Sequence, residues 1–188
     1  MSRIWEVLSD PNRYLCVQQS DLRYFRDRFI GQPTSGDWEP PAFEILNRSK
    51  KVADFTSWQI RGRVLLVSDR ARKALLPVCQ DGVEFLQFAT IKRVNLFAMN
   101  VLKLEELIDF ERSRIKDHVV ESIVFRDMRT EPPVVFKDPR LPDMIFGTDA
   151  LRNLALAHEL IGLCLADPAK ERMRQIVRRE PINEFGGL

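Results

Sequence analysis

Two turns in the sequence place a hydroxyl and a carboxylate directly after a short apolar run, which is how many phosphate-binding sites begin. The runs end at Ser68 and Asp69 and again at Thr148 and Asp149, and a helical pattern follows each. A phosphate-binding turn needs glycine so that backbone N–H groups can reach the oxygens. The first turn has no glycine, the second has Gly147 alone, and the carboxylates would repel an anion. The favoured interpretation is that both hydroxyl residues are helix N-caps.

Histidine and cysteine are too few and too scattered to predict a metal centre or a nucleophile with its base. His158 and Glu159 begin a metalloprotease-like pattern, but the position one turn later, where a second histidine is needed, is Gly162. The other histidine, His118, is distant in sequence. Cys164 lies too far from His158 for hydrogen-bond contact if both are on one straight helix. No metal-ligating or catalytic residue is predicted.

Carboxylates between residues 105 and 111 offer pairs of the kind that a glycosidase uses. Nothing in their spacing distinguishes such a pair from an ordinary solvated face, which is the favoured interpretation. Because none of these groups of residues is a convincing catalytic site, the sequence favours a protein that is not an enzyme and uses no cofactor.

The charge balance argues against a nucleic-acid partner. The 188 residues carry 29 basic and 27 acidic side chains, a net charge of +2, and 45% of the residues are hydrophobic. Nucleic-acid binders usually show a basic field, because phosphates dominate their affinity. A globular domain with its own core, and no nucleic acid, is expected.

The sequence also predicts a cytoplasmic protein without a membrane segment. The first residues are charged throughout and do not form a signal peptide, and no apolar run approaches the roughly 18–20 residues needed to cross a bilayer. Cys16, Cys79 and Cys164 are isolated among apolar neighbours, which predicts buried thiols in a reducing compartment.

The hydrophobic periodicity predicts clusters of strands with few helices between them, the order typical of an α+β fold. We expect a mainly antiparallel or mixed sheet packed with two to four helices. Strands are predicted at 4–8, 13–19, 42–47, 64–67, 82–91, 94–102, 121–128 and, last, 144–147; helices at 19–31, 70–79, from 148 to 158 or 160, and 167–181; a short helix and turn at 103–117; and an extended or looping segment at 130–143.

The predicted organisation has three parts. Residues 1–36 form N-terminal strands and a helix packed on the main domain, residues 37–167 form the main α+β domain, and residues 168–188 form a terminal helix and a loose tail.

Several segments between residues 37 and 165 follow a familiar order: "DWEPPAFEIL", "DFTSW", "GRVLLVSDRARKALLPV", "GVEFLQF", "LFAMNVLKLEELIDFERS" and "PDMIFGTDALRNLA" before "IGLCL". Together they resemble the immunity proteins of bacterial polymorphic toxin systems, in the family represented by a Myxococcus xanthus immunity protein. The resemblance implies a cytoplasmic protein that binds and neutralises a cognate toxin domain, as a monomer or homodimer. It brings no catalytic residues.

The contact surface for such a partner is expected on irregular segments rich in Trp, Arg and Pro: the loop around Trp38, the segment 127–143 with Arg140, and the basic terminal helix. Trp38 and Arg140 are the predicted partner-binding residues. Two alternatives remain open at this point: an enzyme whose site is assembled from remote segments, and a scaffold protein that associates with itself.

Overall fold

The computed structural model describes residues 2–19, 28–58, 64–116, 119–128 and 130–170. The strands in these ranges are β1 Ile4–Ser9, β2 Cys16–Gln19, β3 Phe43–Ile45, β4 Phe55–Trp58, β5 Leu65–Ser68, β6 Val83–Ile91, β7 Val94–Val101, β8 Arg114–Lys116, β9 Val119–Ser122, β10 Val135–Asp138, β11 Leu141–Thr148 and β12 Leu163–Ala166. The helices are α1 Asp69–Cys79 and α2 Asp149–Ala157, with short 3-10 turns at Ser35–Asp37 and Gln80–Gly82.

An antiparallel four-stranded sheet has the order β10–β11–β1–β12. The N-terminal strand β1 lies inside this sheet, with Ile4 opposite Thr148 on one side and Leu8 opposite Cys164 on the other. Residues from the two ends of the described chain therefore share one hydrogen-bonded layer with the strand that leads into α2.

A six-stranded sheet has the order β3–β2–β4–β5–β7–β6, in which the β2–β4 pair is parallel and the others are antiparallel. Its longest pair is the β6–β7 hairpin, whose turn residues Lys92 and Arg93 have φ of 49° and 66°. Positive φ at both positions gives the turn the twist that matches antiparallel strands.

Apolar layers cover both faces of each sheet. Leu65 and Val67 of β5 point into a core between the two sheets, together with Val135 of β10 and the buried faces of both helices. Leu66, on the opposite face of β5, belongs to a second core with Phe88 and other residues. A third core covers the outer face of the four-stranded sheet and contains Ile108, Phe136 and Phe146. Burial on both sides explains why β5 is a continuous apolar run without alternation.

Helix α1 begins as the sequence predicts. The Ser68 Oγ accepts a hydrogen bond from the Ala71 N–H at 3.1 Å, which satisfies one of the unpaired donors of the first turn. Ala71, Ala74 and Leu75 form the buried stripe that faces the central core. The N-cap prediction for Ser68 is confirmed.

The end of the chain departs from the prediction at two points. The last described strand is β12, at residues 163–166, and not the segment 144–147, which is part of the longer β11. Helix α2 ends at Ala157, one residue before the earlier of the two predicted ends, because Glu159 adopts a left-handed φ of 50° and the Leu160 N–H bonds back to the Ala155 carbonyl. This is the hydrogen-bonding pattern of a helix C-terminus, although Glu stands where Gly is usual.

The short helix predicted within 103–117 is also wrong. Leu104 forms a bridge with Lys137, Ile108 forms one with Phe125, and residues 114–116 are β8. The Ile108 N–H donates to the Asp138 carboxylate at 3.3 Å. Pairing with β10 and its neighbours uses the backbone groups that a helix would have used, so tertiary contacts override the local pattern.

The α+β class and the mixed, mainly antiparallel sheets are as predicted, and two α-helices lie in the described ranges. The helix predicted at 19–31 lies mostly outside these ranges, and residues 28–31, which are described, form bends. The helix predicted at 167–181 falls outside them from residue 171 onward.

Candidate functional site

Two neighbouring cavities of about 680 Å³ and 450 Å³ form one groove on the surface. We call them the first and second cavities, and the groove is defined by the residues that line them. The cavities share Lys103, Glu131, Pro132 and Pro133, so they lie side by side along these four residues. Together they offer a surface that several residues of a partner can contact.

Segments that are remote in sequence build the groove. One wall is the end of α1 with the 3-10 turn Gln80–Gly82, and the Gly82 carbonyl accepts hydrogen bonds from the N–H groups of Leu102 and Lys103 at 2.9 and 3.3 Å. The opposite wall is the segment 130–135 that leads into β10. Hydrogen bonds join residues 103 and 105 to the backbone of Lys137, so the base of the groove is fixed to the four-stranded sheet.

Exposed apolar side chains border the first cavity. Leu76 and Val78, on the outer side of α1, are 41% and 43% exposed, and Val78 lines the cavity. Pro77 between them is also exposed. Val78 therefore adds exposed apolar surface at the edge of the first cavity, a feature common in interaction surfaces.

The charges of the groove differ in sign from the net charge of the chain. Among the described lining residues, the acidic ones outnumber the basic ones five to two, which gives these residues a formal charge of −3. The acidic residues are Asp81, Glu105, Glu106, Asp127 and Glu131, and the basic ones are Lys103 and Arg126. Lys103 is already paired with Glu105 at 3.6 Å. The groove therefore offers carboxylates to a partner.

Thr148 meets the first cavity at the start of α2. It is 1% exposed and occupies the N-cap position, but its side chain makes no capping hydrogen bond. Its backbone N–H donates instead to the Val134 carbonyl at 3.0 Å. The prediction of a side-chain cap is therefore wrong for Thr148, which is held through its backbone instead.

The carboxylate of Asp149, the next residue, accepts hydrogen bonds from within the fold. They come from the Trp5 indole at 2.8 Å and from the Arg3 N–H at 3.0 Å. Burial raises the pKa of Asp149, but these hydrogen bonds and nearby arginines lower it by more, so the pKa lies below its ordinary value. The residue stabilises the junction between α2 and β1, which agrees with the interpretation against a phosphate site at this turn.

Cys79 lines the first cavity but is not a nucleophile at neutral pH. Burial raises the pKa of the Cys79 thiol to about 12. The thiolate is the reactive form of cysteine, so this side chain contributes apolar contact. All three cysteines are free thiols; Cys16 and Cys164 are buried as the sequence predicts, whereas Cys79 is only partly buried.

Ser68 also belongs to a buried polar network. Its Oγ donates to the Asp54 carboxylate at 2.6 Å, and Asp54 also accepts from Arg70 and from the Ile161 N–H at 2.9 Å. Burial raises the pKa of Asp54, but hydrogen bonds from Arg70, Ser68 and Ile161 lower it by more, and the pKa lies below its ordinary value. The network joins the start of β4, the start of α1 and the segment before β12, so its role is to stabilise the fold.

Trp38 packs at the edge of the six-stranded sheet. Its indole N–H donates to the Gln87 carbonyl of β6 at 2.6 Å, and its ring meets Phe29 edge to face at 5.8 Å. The Glu84 carboxylate accepts from the N–H groups of Thr34 and Ser35, both at 2.9 Å, which holds the preceding turn against the same strand. Part of the Trp38 side chain remains exposed, but Trp38 does not line the groove.

Arg140 lies in the turn between β10 and β11, also outside the groove. Its guanidinium donates to the Ile108 carbonyl at 3.1 Å and lies 3.8 Å from the centre of the Phe110 ring. It also pairs with the buried Asp138 carboxylate. The structure thus places the two predicted contact residues against different cores, and both have intramolecular partners.

The remaining sequence candidates are not brought together. His158 is exposed at the end of α2, whereas Cys164 is buried on β12, so the two are on different elements and not on one helix. His118 lies outside the described residues. Within the described ranges, no group of three or more His, Cys, Asp or Glu side chains is placed to hold a metal ion.

Sequence reasoning found only part of the groove. The segment 127–143 was predicted to be a contact surface, and its residues 127–135 include much of one wall. The carboxylates at 105 and 106 were assigned to an ordinary solvated face, and the end of α1 was not singled out. The available signal was the apolar run "LPV" at the end of the helical pattern, followed at a distance by two adjacent acidic residues.

Two further observations concern the class of protein. No helix in the described part of the chain is long and apolar enough to cross a membrane. No family model and no curated protein matches the chain.

Proposed function

We propose that this protein is an immunity-type binding protein, which neutralises a cognate bacterial toxin domain in the cytoplasm without catalysis of its own. The resemblance between residues 37 and 165 suggests the class of partner. The observation that carries the proposal is the groove, with the exposed apolar run of α1 beside it.

A groove of this kind suits binding to another protein. Its walls come from turns and irregular segments, whereas the helices and sheets behind them are tied by three apolar cores. Variable recognition surfaces on a rigid scaffold are a common arrangement in binding proteins. Apolar residues next to charged ones supply the centre and the rim of an interface.

Trp38 and Arg140 stay in the proposal as secondary contacts. The exposed part of each side chain is available to a large partner, although their polar groups have partners within the chain. A standard interface buries about 800 Å² on each side, more than the groove alone supplies. Either a monomer or a homodimer is compatible with this proposal.

The test is coexpression with the product of the adjacent reading frame. The proposal expects that product to stop growth when expressed alone, to be harmless when this chain is present, and to copurify with it at a fixed ratio. A neighbouring product that is not toxic, or whose toxicity this chain does not relieve, would overturn the proposal.

A further inference from the structure

We propose that the groove receives a basic, extended segment of the partner protein. The identification of that partner as a toxin domain rests on the proposed function, whereas the chemistry of the segment follows from the groove itself.

Charge is the first argument. The chain has a net charge of +2, whereas the described residues of the groove have a formal charge of −3, so acidic side chains predominate among them. Asp81, Glu106, Asp127 and Glu131 are all exposed, and the described part of the chain provides none of them with a hydrogen bond or an ion pair. Lysine or arginine side chains of a partner would complement these carboxylates and raise the rate of association.

The Thr148 side chain adds a polar group to the first cavity. Thr148 is 1% exposed and lines this cavity, and its side chain makes no capping hydrogen bond. A polar group that enters the cavity from the partner can hydrogen-bond to the hydroxyl.

The apolar border adds contact area to these polar interactions. Val78, Pro132 and Pro133 all line the first cavity, and Leu76 is exposed nearby on α1. The aliphatic stems of lysine or arginine can pack on such residues while their charged ends reach carboxylates. Because the two cavities lie side by side, successive side chains of one extended segment can enter both.

The first experiment uses a defined probe, the capped peptide Lys-Val-Lys-Val-Lys-Val-Lys, with a peptide in which Glu replaces Lys as its counterpart. Binding is titrated by calorimetry at low salt and at about 0.15 M ionic strength, where exposed charges are partly screened. We expect the basic peptide to bind, with an affinity that falls as salt is added. Equal binding of the acidic peptide would overturn the inference.

Charge-reversal variants then locate the site. Glu131→Lys changes a residue shared by both cavities, and Glu44→Lys makes the same change of charge on β3, at the other end of the six-stranded sheet. We expect Glu131→Lys to weaken peptide binding about tenfold or more and Glu44→Lys to leave it unchanged. Equal affinities for Glu131→Lys and the unaltered protein would contradict the inference.

Thr148→Val provides a second variant that keeps the shape of the side chain and removes the hydroxyl. Weaker binding with an unchanged melting temperature supports a role for that hydroxyl in recognition. If affinity is retained, and the amide signals of residues 131 and 148 do not shift on titration with the peptide, the groove is not the binding site.

The toxin assay separates this inference from the proposed function. Loss of neutralisation in Glu131→Lys, with retention in Glu44→Lys, supports both. Neutralisation that survives Glu131→Lys overturns the inference but leaves the function. Peptide binding that depends on Glu131, together with a neighbouring product that is never neutralised, leaves the inference and overturns the function.

Discussion

The Asp54 carboxylate and the Arg70 guanidinium form an ion pair that joins the residue before β4 to the first turn of α1. Asp54 is 7% exposed, and its remaining acceptor positions are filled by Ser68 and the Ile161 N–H. Arg70 also donates to the Glu159 carbonyl at 2.8 Å, so the first turn of α1 is joined to the residues that follow α2.

The pH dependence of stability should reveal this network. Because the folded-state pKa of Asp54 is below its ordinary value of about 3.9, its contribution is fully present above that value and is lost as the pH falls through the folded-state pKa. Asp54→Asn should therefore lower the free energy of unfolding by roughly 2–3 kcal/mol at neutral pH and by less in acid. Denaturant melts of both proteins from pH 7 down to the acid limit of folding measure this difference. A difference that stays constant with pH would contradict the prediction.

Two hydroxyl residues at equivalent positions should respond differently to substitution. Ser68→Ala removes both a cap and a hydrogen bond to Asp54, and should cost about 2 kcal/mol. Thr148→Val removes a hydroxyl that makes no cap, and should change stability by less than about 0.5 kcal/mol. Thermal or chemical melts of the two variants test the contrast. Equal losses would mean that Thr148 also acts as a cap in solution.

Gly162 should not tolerate a side chain. Its φ is +87°, and an added Cβ would meet the Ala53 Cβ and lie 2.5 Å from the Phe55 carbonyl oxygen. Gly162→Ala combines backbone strain with a clash against backbone, and we expect a loss of about 2 kcal/mol or more. The free energy of unfolding from urea melts measures the effect, with Gly36→Ala as control because nothing lies within 4 Å of its added Cβ. Equal stabilities of the two variants would contradict this description of the turn.

Arg140→Ala should destabilise the fold before any effect on a partner is considered. The substitution leaves the Asp138 carboxylate, which is fully buried, without its arginine, and removes the contact with Phe110. We expect a loss of roughly 2 kcal/mol, and a smaller one for Trp38→Phe, which loses one hydrogen bond to Gln87. Melts should therefore precede binding assays of either variant. Unchanged stability of Arg140→Ala would contradict this prediction and would mean that the side chain does not stabilise the fold.

Local chemistry made several elements predictable. The Ser68 cap and the apolar stripe of α1 follow from the identities of neighbouring residues. The end of α2 could not be predicted, because Glu159 and not glycine occupies the left-handed position. The helical apolar pattern also continues beyond Glu159. Strand β12 depends on pairing with β1, near the opposite end of the sequence.

The groove was even less predictable, because it is made by the proximity of the α1 end, the segment after β7 and the segment before β10. Each of these looks like an ordinary surface in isolation. The lack of a capping hydrogen bond at Thr148 also has no sequence signal, since a Thr before a helix normally indicates a cap.

The hydrogen bond from Trp38 to Gln87 has a consequence for solubility. Strand β6 lies at one end of its sheet, and an uncovered outer strand can recruit a strand from another molecule. The indole occupies one of the outward carbonyl groups of β6, and the turn held by Glu84 covers the neighbouring length. The residue first considered for binding a partner thus also covers part of this outer strand, which leaves less of it open to a strand of another molecule.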